Sequence, residues 1–335
     1  MLKLQNKIPS ALTIGGKIVE RIKMRNEVVW EKVQPEYFYI ENTYAGTNII
    51  SLEDNQVLES LSDLQYSKDR NSWTTFTPST TALDISLNQG EKLYIRGDAN
   101  FGYVRLQISG SQSHNVGGNI NTLINYNDPN NVVLSSTAFE YLFKNDTKLT
   151  SASNLTLPAT TLAIACYASM FSGCTSLTST PELPATTLAQ TCYQFMFSGC
   201  TSLTSAPTLP ATTLANDCYR YMFSGCTSLV NVPSLPATTL KNYCYEGMFN
   251  GCKSLTSAPT LPATTLERYC YEFMFQNCTS LNSITVYADD ISATNCTYDW
   301  LLGVSSTGTF RNLGSAIYDT DSTSGIPSGW TEVKN

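Results

Sequence analysis

Two hydrophobic rhythms divide this chain. From Tyr37 to about Asp128 apolar and polar positions alternate, as in Leu83-Asp-Ile85-Ser-Leu87, with further runs at Leu93-Tyr-Ile95 and Val104-Arg-Leu106-Gln-Ile108 and a turn at Asn88-Gln-Gly90. A period of two marks strands with one buried face, so residues 36–130 are expected to form an all-β unit, a small sandwich or barrel, with a loop from Gly110 to Gly118. From Leu157 the rhythm changes. The phrase Leu-Pro-Ala-Thr-Thr-Leu recurs at Leu157, Leu183, Leu209, Leu235 and Leu261, 26 residues apart each time, and Cys-Tyr-x-x-Met-Phe-x-Gly-Cys-x-Ser-Leu runs between, as in Cys218 to Leu229. Self-similarity at a period of this size means a stacked solenoid.

Within one repeat, Leu214, Cys218 and Met222 stand at i, i+4 and i+8, with Tyr219, Phe223 and Cys226 beside them, so Thr212 to Phe223 is predicted as a short helix opened by Pro210 and Thr212. Gly173, Gly199, Gly225 and Gly251 fill one column, replaced at the ends by Asn145 and Asn277, which is the choice a left-handed residue at a helix end dictates. Leu203-Thr-Ser-Ala206 reads as the strand, closed by Pro207 because proline cannot donate to a ladder. A degenerate copy at Ala138 to Leu149, offset by 28, reads as the N-terminal cap. Cys296 keeps the register, Trp300-Leu301 replace Met-Phe and Val304 replaces the second cysteine, which reads as a C-terminal half-repeat followed by a turn-rich tail. The predicted fold is α+β: an all-β N-terminal region, then over residues 131–335 a solenoid with one short strand and one short helix per turn, capped at both ends. Ahead of both, Leu12-Thr-Ile14, Lys17 to Arg25 and Val28-Val-Trp30 read as short strands joined at Gly15-Gly16 and Asn26-Glu27.

Charge alters this picture little. Only 14% of residues are charged, so the surface is expected to be neutral and hydroxyl-rich, which argues against nucleic acid as a partner. Residues 1–34 hold seven Lys or Arg against three Glu, a net +4 that leaves −11 for the rest of a chain at −7. No stretch is long and apolar enough for a secretory signal or a membrane span, so the expectation is a chain neither exported by a signal nor anchored.

Candidate chemistry is mostly absent. His114 is the only histidine, which removes the usual component of triads and two-histidine metal sites. Ten of eleven cysteines form five Cys-x7-Cys pairs and Cys296 shares their first column; none has Cys-x2-Cys metal spacing. Ala138 and Val304 occupy cysteine columns at the ends and Asp146 is the exception, so the columns read as buried free thiols and no cofactor or metal is expected. Asp289-Asp290 reads as a solvated loop, not a glycosidase pair. Trp73, Phe76, Phe101 and Tyr103 can stack on a sugar, although core is the favoured reading.

The Met-Phe-x-Gly-Cys-x-Ser-Leu and Leu-Pro-Ala-Thr-Thr-Leu phrases resemble the BspA-like leucine-rich repeats of surface proteins from gut Bacteroidales bacteria and their phages. Tyr66-Ser-Lys-Asp with Trp73, Gly90-Glu-Lys, Arg96-Gly97 and the tail Gly-Ile-Pro-Ser-Gly-Trp resemble the segments that flank such repeats. The opening Ile-Gly-Gly-Lys and Val-Val-Trp-Glu is similar to a small module that begins many phage tail and virion proteins. The resemblance implies an adhesive or surface role without catalytic residues. It leads to a non-enzymatic virion component, tail-associated or fibre-like, docking on other virion proteins through residues 1–34 and meeting a host-surface glycan or protein through its repeats. A bacterial cell-surface adhesin is the alternative and a carbohydrate-active enzyme the third; a homo-oligomer is compatible with each.

Comparison of the turns with one another locates the expected contact. Phe195, Tyr221 and Phe273 vary where the core columns do not, one to two turns apart, flanked by Tyr243, Tyr269, Arg220 and Arg268. Exposed rings beside arginine are enriched in recognition surfaces. The competing reading is that these rings only cover the helix flank.

Overall fold

A computed structural model describes residues 12–14, 17–19, 21–24, 27–31, 36–54, 64–98, 106–320 and 323–334. At the start, β1 (Leu12–Ile14) pairs antiparallel with β2 (Lys17–Val19), and β3 (Arg21–Met24) with β4 (Glu27–Glu31), so Lys17 to Arg25 holds two strands in place of one. The expected turn residues Gly15, Gly16 and Asn26 lie outside the described residues, as do Phe101 and Tyr103.

The alternating region forms two open sheets around one core. β5 (Phe38–Asn42), β7 (Leu64–Ser67), β8 (Thr74–Phe76), β10 (Lys92–Gly97), β12 (His114–Asn119) and β13 (Leu149–Thr156) make a six-stranded sheet in the order β13-β12-β5-β10-β7-β8. β6 (Asn48–Glu53), β9 (Leu83–Leu87) and β11 (Gln107–Gly110) make the second, in the order β11-β6-β9. Phe38, Ile40, Leu93 and Ile95 from one sheet and Ile50, Leu87 and Ile108 from the other are fully buried in the same core. Among the described residues neither sheet closes on itself, so this is a sandwich and not a closed barrel. The loop expected from Gly110 to Gly118 instead contains β12, because its small polar residues pair with β5 on one side and β13 on the other.

β12 carries the sheet into the repeats. It lies parallel to β13, which belongs to the first turn, and His114 fixes the junction. Its Nδ1 stands 2.9 Å from the Gln112 carbonyl, which can only accept, and its Nε2 stands 2.9 Å from Asp146 Oδ2, both side chains being buried. Asp146 Oδ1 accepts the Lys148 and Leu149 N–H groups. This is why an acid replaces cysteine at that column in the first turn.

The repeats themselves are built from turns. From Ala163 to Cys174 alternate N–H groups close on the carbonyl three residues back: Cys166 on Ala163, Ala168 on Ala165, Met170 on Tyr167, Ser172 on Ser169 and Cys174 on Phe171. The N–H groups between them cross to the following turn: Ala165 to Gln190, Tyr167 to Cys192, Ser169 to Gln194, Phe171 to Met196 and Gly173 to Ser198. Every fourth residue has positive φ, as at Ala165 (53°), Ser169 (54°) and Gly173 (78°), and the pattern recurs from Thr137 to Gly303. The helix predicted for each turn is therefore wrong. An α-helix keeps its N–H groups within itself at negative φ, whereas half of these are bonded between turns. Among the described residues the helical pieces are two 3-10 turns, Ile120–Leu123 and Pro129–Asn131, so the fold is β and turn, not α+β. The Gly and Asn column is left-handed as predicted, although it ends a turn ribbon and no helix.

Proline decides where strands survive. Pro181, Pro207, Pro233 and Pro259 fill one buried column, and the strand predicted beside them shrinks to single bridges such as Ser205–Asn231. Where the column holds Ser153 or Thr285, full strands form: β13, and β14 (Ser283–Val286). β14 continues in parallel into β15 (Gly308–Asn312) and β16 (Trp330–Lys334), and the tail closes the last turn. Buried Trp300 donates Nε1 to the Gly325 carbonyl at 2.8 Å.

Side chains stack in register on their own images. Tyr167, Tyr193, Tyr219, Tyr245 and Tyr271 form one buried column with centroids 5.8–6.1 Å apart, and Phe143, Phe171, Phe197, Phe223, Phe249 and Phe275 another at 5.1–5.8 Å. All eleven cysteines are buried and none is bridged. In the second cysteine column each thiol donates to the phenylalanine carbonyl of the preceding turn, as Cys226 does to Phe197 at 3.1 Å. Burial pushes the Cys226 thiol up to about 12, so it stays protonated and able to donate.

Candidate functional site

The side chains that differ between turns project from the positive-φ positions of the ribbon and the residues beside them. Phe195 (φ 55°), Tyr221 (52°), Phe273 (54°), Tyr243 (58°) and Tyr269 (57°) are all left-handed and half-buried. Such backbone costs about 1–3 kcal/mol per residue and often marks function. Here Ala165, Ser169 and Asp217 share it, so the strain belongs to the ribbon and singles out no residue.

The expected aromatic stripe is two stacks. Phe195 and Tyr221 lie face to face, 5.2 Å apart at 6°, and Tyr243 and Tyr269 likewise, 4.6 Å apart at 7°. Gly247 interrupts the first column: a Cβ there would collide with the Tyr221 ring, which leans into the space. Phe273, on the far side of the gap, meets Tyr298 edge-on at 5.8 Å. The stripe is thus the flank of a turn ribbon, not of a helix.

The two arginines differ. Arg220 is clamped to buried Glu246 of the next turn, Nε to Oε2 at 2.8 Å and Nη2 to Oε1 at 3.0 Å, with Asp217 3.7 Å away. Arg268 is exposed, 4.8 Å over the Tyr269 ring. Burial pushes the Tyr221 hydroxyl up to about 12, with the Glu246 charge adding to it. Beyond Glu246 stands Glu272, also buried, its carboxyl pushed up to about 7 by burial first and by the Glu246 charge second. This Arg-Glu-Glu column was missed in the sequence, yet its signal was there: Arg220, Glu246 and Glu272 are spaced by 26 and must stack.

Residues 136–282 match the family model described as the BspA type Leucine rich repeat region, in six copies. This chain carries a BspA-type leucine-rich-repeat region. The first copy begins at the degenerate turn, so the segment read as a cap is itself a BspA-type repeat with the same left-handed residues at Thr137, Tyr141 and Asn145. No curated protein and no solved structure matches the chain. Among the described residues no group of His, Cys, Asp and Glu is arranged to hold a metal ion, and no helix is long and apolar enough to cross a membrane.

The remaining candidates are placed as follows. Phe76 packs against the core of the sandwich, whereas Trp73 stands on the outer face of the six-stranded sheet, 3.8 Å from the Arg96 guanidinium. Asp290 accepts the Ser292 N–H of its own loop and Asp289 accepts the N–H and hydroxyl of Ser315 one turn on, which holds both carboxyls below the usual range.

Proposed function

We propose that this protein is a non-enzymatic contact protein whose repeats meet a surface, and, more finely, a tail-associated or fibre-like component of a phage virion. The BspA-type repeats suggest a surface or adhesin-like role. The observation that carries the contact reading is the lateral face: core columns repeat from turn to turn, while this flank of the array collects rings and an exposed arginine that differ. The non-enzymatic part is supported by the single histidine, His114, being buried against Asp146 with no opening for a substrate. The virion part rests on the resemblance of residues 1–34 to a particle-docking module and on the two short ribbons found there. A cell-surface adhesin is the second reading, favoured by the BspA-type region itself.

The test changes Phe195, Tyr221 and Phe273 together to Ser, and separately Arg268→Ser, then measures attachment to bacterial cells after confirming the melt. Attachment should fall by about tenfold or more, as loss of a central aromatic cluster requires. Undiminished attachment by folded variants would move the contact elsewhere. Fractionation of the native protein decides between the readings: co-sedimentation with phage particles supports the virion, and recovery in the cell envelope supports the adhesin.

A further inference from the structure

Around Arg96 the outer face of the six-stranded sheet is basic and aromatic in a chain of net charge −7. Phe38, Ile40, Leu93 and Ile95 point into the core, so Tyr39, Glu41, Lys92, Tyr94 and Arg96 occupy the opposite face, with Lys92 3.9 Å from Glu41. Register sets Tyr94 against Tyr39 and Arg96 against Gln65. Trp73, from the segment between β7 and β8, and Tyr126, following the first 3-10 turn, close on Arg96 with ring centroids 3.8 and 4.2 Å from the guanidinium carbon. Nε donates to Gln65 Oε1 at 2.8 Å and Nη1 to Tyr37 Oη at 3.4 Å. Nη2 has no hydrogen bond among the described residues, and Arg96 is half-exposed. Arg70 stands 5.3 Å over the Tyr94 ring. Among the described residues neither arginine has a carboxylate within ion-pair distance, unlike Arg220.

We propose that this face binds an acidic glycan, with its oxyanion on the Nη2 edge of Arg96 and on Arg70 and its sugar ring against Tyr94 and Trp73. A planar guanidinium held between two rings keeps its fork oriented, so little freedom is lost when a carboxylate or sulfate docks. Half-exposed rings beside it take the apolar C–H face of a pyranose. On the same face, past Tyr39, β12 carries Gly117 and Gly118, and a trough of about 460 Å³ runs along β13 with Glu36 and Glu182 on its rim and Asn154 in its wall. Those two acids repel a second anion and accept sugar hydroxyls, which fixes the ligand's direction: the acidic unit at Arg96, neutral units in the trough. A polyphosphate chain carries a charge at every unit and would meet those acids along its length. The proposal extends the contact reading to a site of its own; the lateral face of the repeats is not part of it.

The experiment measures binding of the full-length chain to a polyuronate, a sulfated glycan, a neutral glucan and a single-stranded oligonucleotide. Wild type should retain one or both acidic glycans, more weakly as salt rises, and neither other polymer. Arg96→Gln should lose about tenfold or more, the worth of a charge-assisted pair, and Arg96→Lys should recover little because it keeps the charge without the fork. Arg70→Gln, at an exposed position, keeps the test decisive if Arg96 variants melt early; it should lose about threefold or more. The polyuronate and sulfated arms tell carboxylate from sulfate. No retention of either acidic polymer, retention unchanged in folded Arg96→Gln and Arg70→Gln, or preference for the glucan or the oligonucleotide would each overturn the proposal. Variants of Phe195, Tyr221 and Phe273 should bind these polymers as wild type does, so failure here leaves the repeat contact standing and the reverse also holds.

Discussion

The repeat array and the sandwich both place arginine against aromatic rings, with opposite results. In the array the stacked side chains have counterparts one turn away. Tyr243 finds Tyr269, Phe195 finds Tyr221 and Arg220 finds Glu246, so bonding capacity is used up along the stack. In the sandwich the neighbours are cross-strand and occur once. Arg96 finds rings and an amide but no acid, and part of its fork remains open. Periodicity thus saturates the inner columns of the array and leaves Arg268 open at its flank, while the aperiodic sheet holds open valences of its own.

The largest test of that saturation is Phe223→Ala. Its ring is fully buried between Phe197 at 5.6 Å and Phe249 at 5.8 Å. Removing it opens a cavity that the rigid turns on either side cannot close, for a loss of about 3–5 kcal/mol by denaturant unfolding. Trp73→Ala on the sheet face should cost far less, since that ring lies outside the core. Equal losses would mean the stack is no tighter than an exposed clasp.

A smaller test addresses the backbone. At Gly225 (φ 75°) an added Cβ would meet nothing nearer than Gly199 at 3.7 Å, so space is available and only the left-handed conformation resists. Gly225→Ala should therefore cost about 1–3 kcal/mol, while Gly225→Asn should cost less, because Asn277 already holds that place at φ 61°. Equal melting of the two variants would show that conformation is not what fixes this column.

The sequence made the 26-residue stack, the left-handed Gly and Asn column and the buried cysteines legible, because each follows from one residue type at one position, whereas the strand read at Leu203 to Ala206 is only a bridge at Ser205. The helix was misread because Leu214, Cys218, Met222 and Cys226 fit either ribbon over a short span. Their strict spacing of four was the overlooked signal: on a helix Leu214 and Cys226 would stand about 120° apart, yet both are buried. The lateral residues could be singled out because turns can be compared with each other. Trp73, Tyr126 and Arg96 could not be, since they come from three separate segments and only the folded sheet brings them together. His114 and Asp146 were each noticed alone, but no periodicity links a strand of the sandwich to a turn of the array.

The smallest expected effect probes a buried place where saturation in the array is incomplete. Arg220 serves Glu246, leaving Glu272 as a second buried acid in the column with no cation of its own. Burial and the Glu246 charge raise its carboxyl to about 7; Asp299 adds to this, while Arg220 and a hydrogen bond from Asn295 act the other way. An unfolded glutamate titrates near 4.3, so between about pH 4 and 7 the folded chain holds a proton that the unfolded chain has released. Folding is then favoured less and less as pH climbs through that window, and above it the array carries an ionised acid in a poor site. Glu272→Gln resembles the protonated form at every pH. It should leave the melt unchanged near pH 4 and raise stability at pH 8 by about 1 kcal/mol, a Tm increase of about 2 °C. Glu246→Gln should do the opposite at pH 8, since it strips Arg220 of its partner. If Glu272→Gln shifts Tm equally at both pH values, its effect is packing and the acid is not strained; if it lowers Tm at pH 8, Glu272 has a cationic partner and the column is saturated after all.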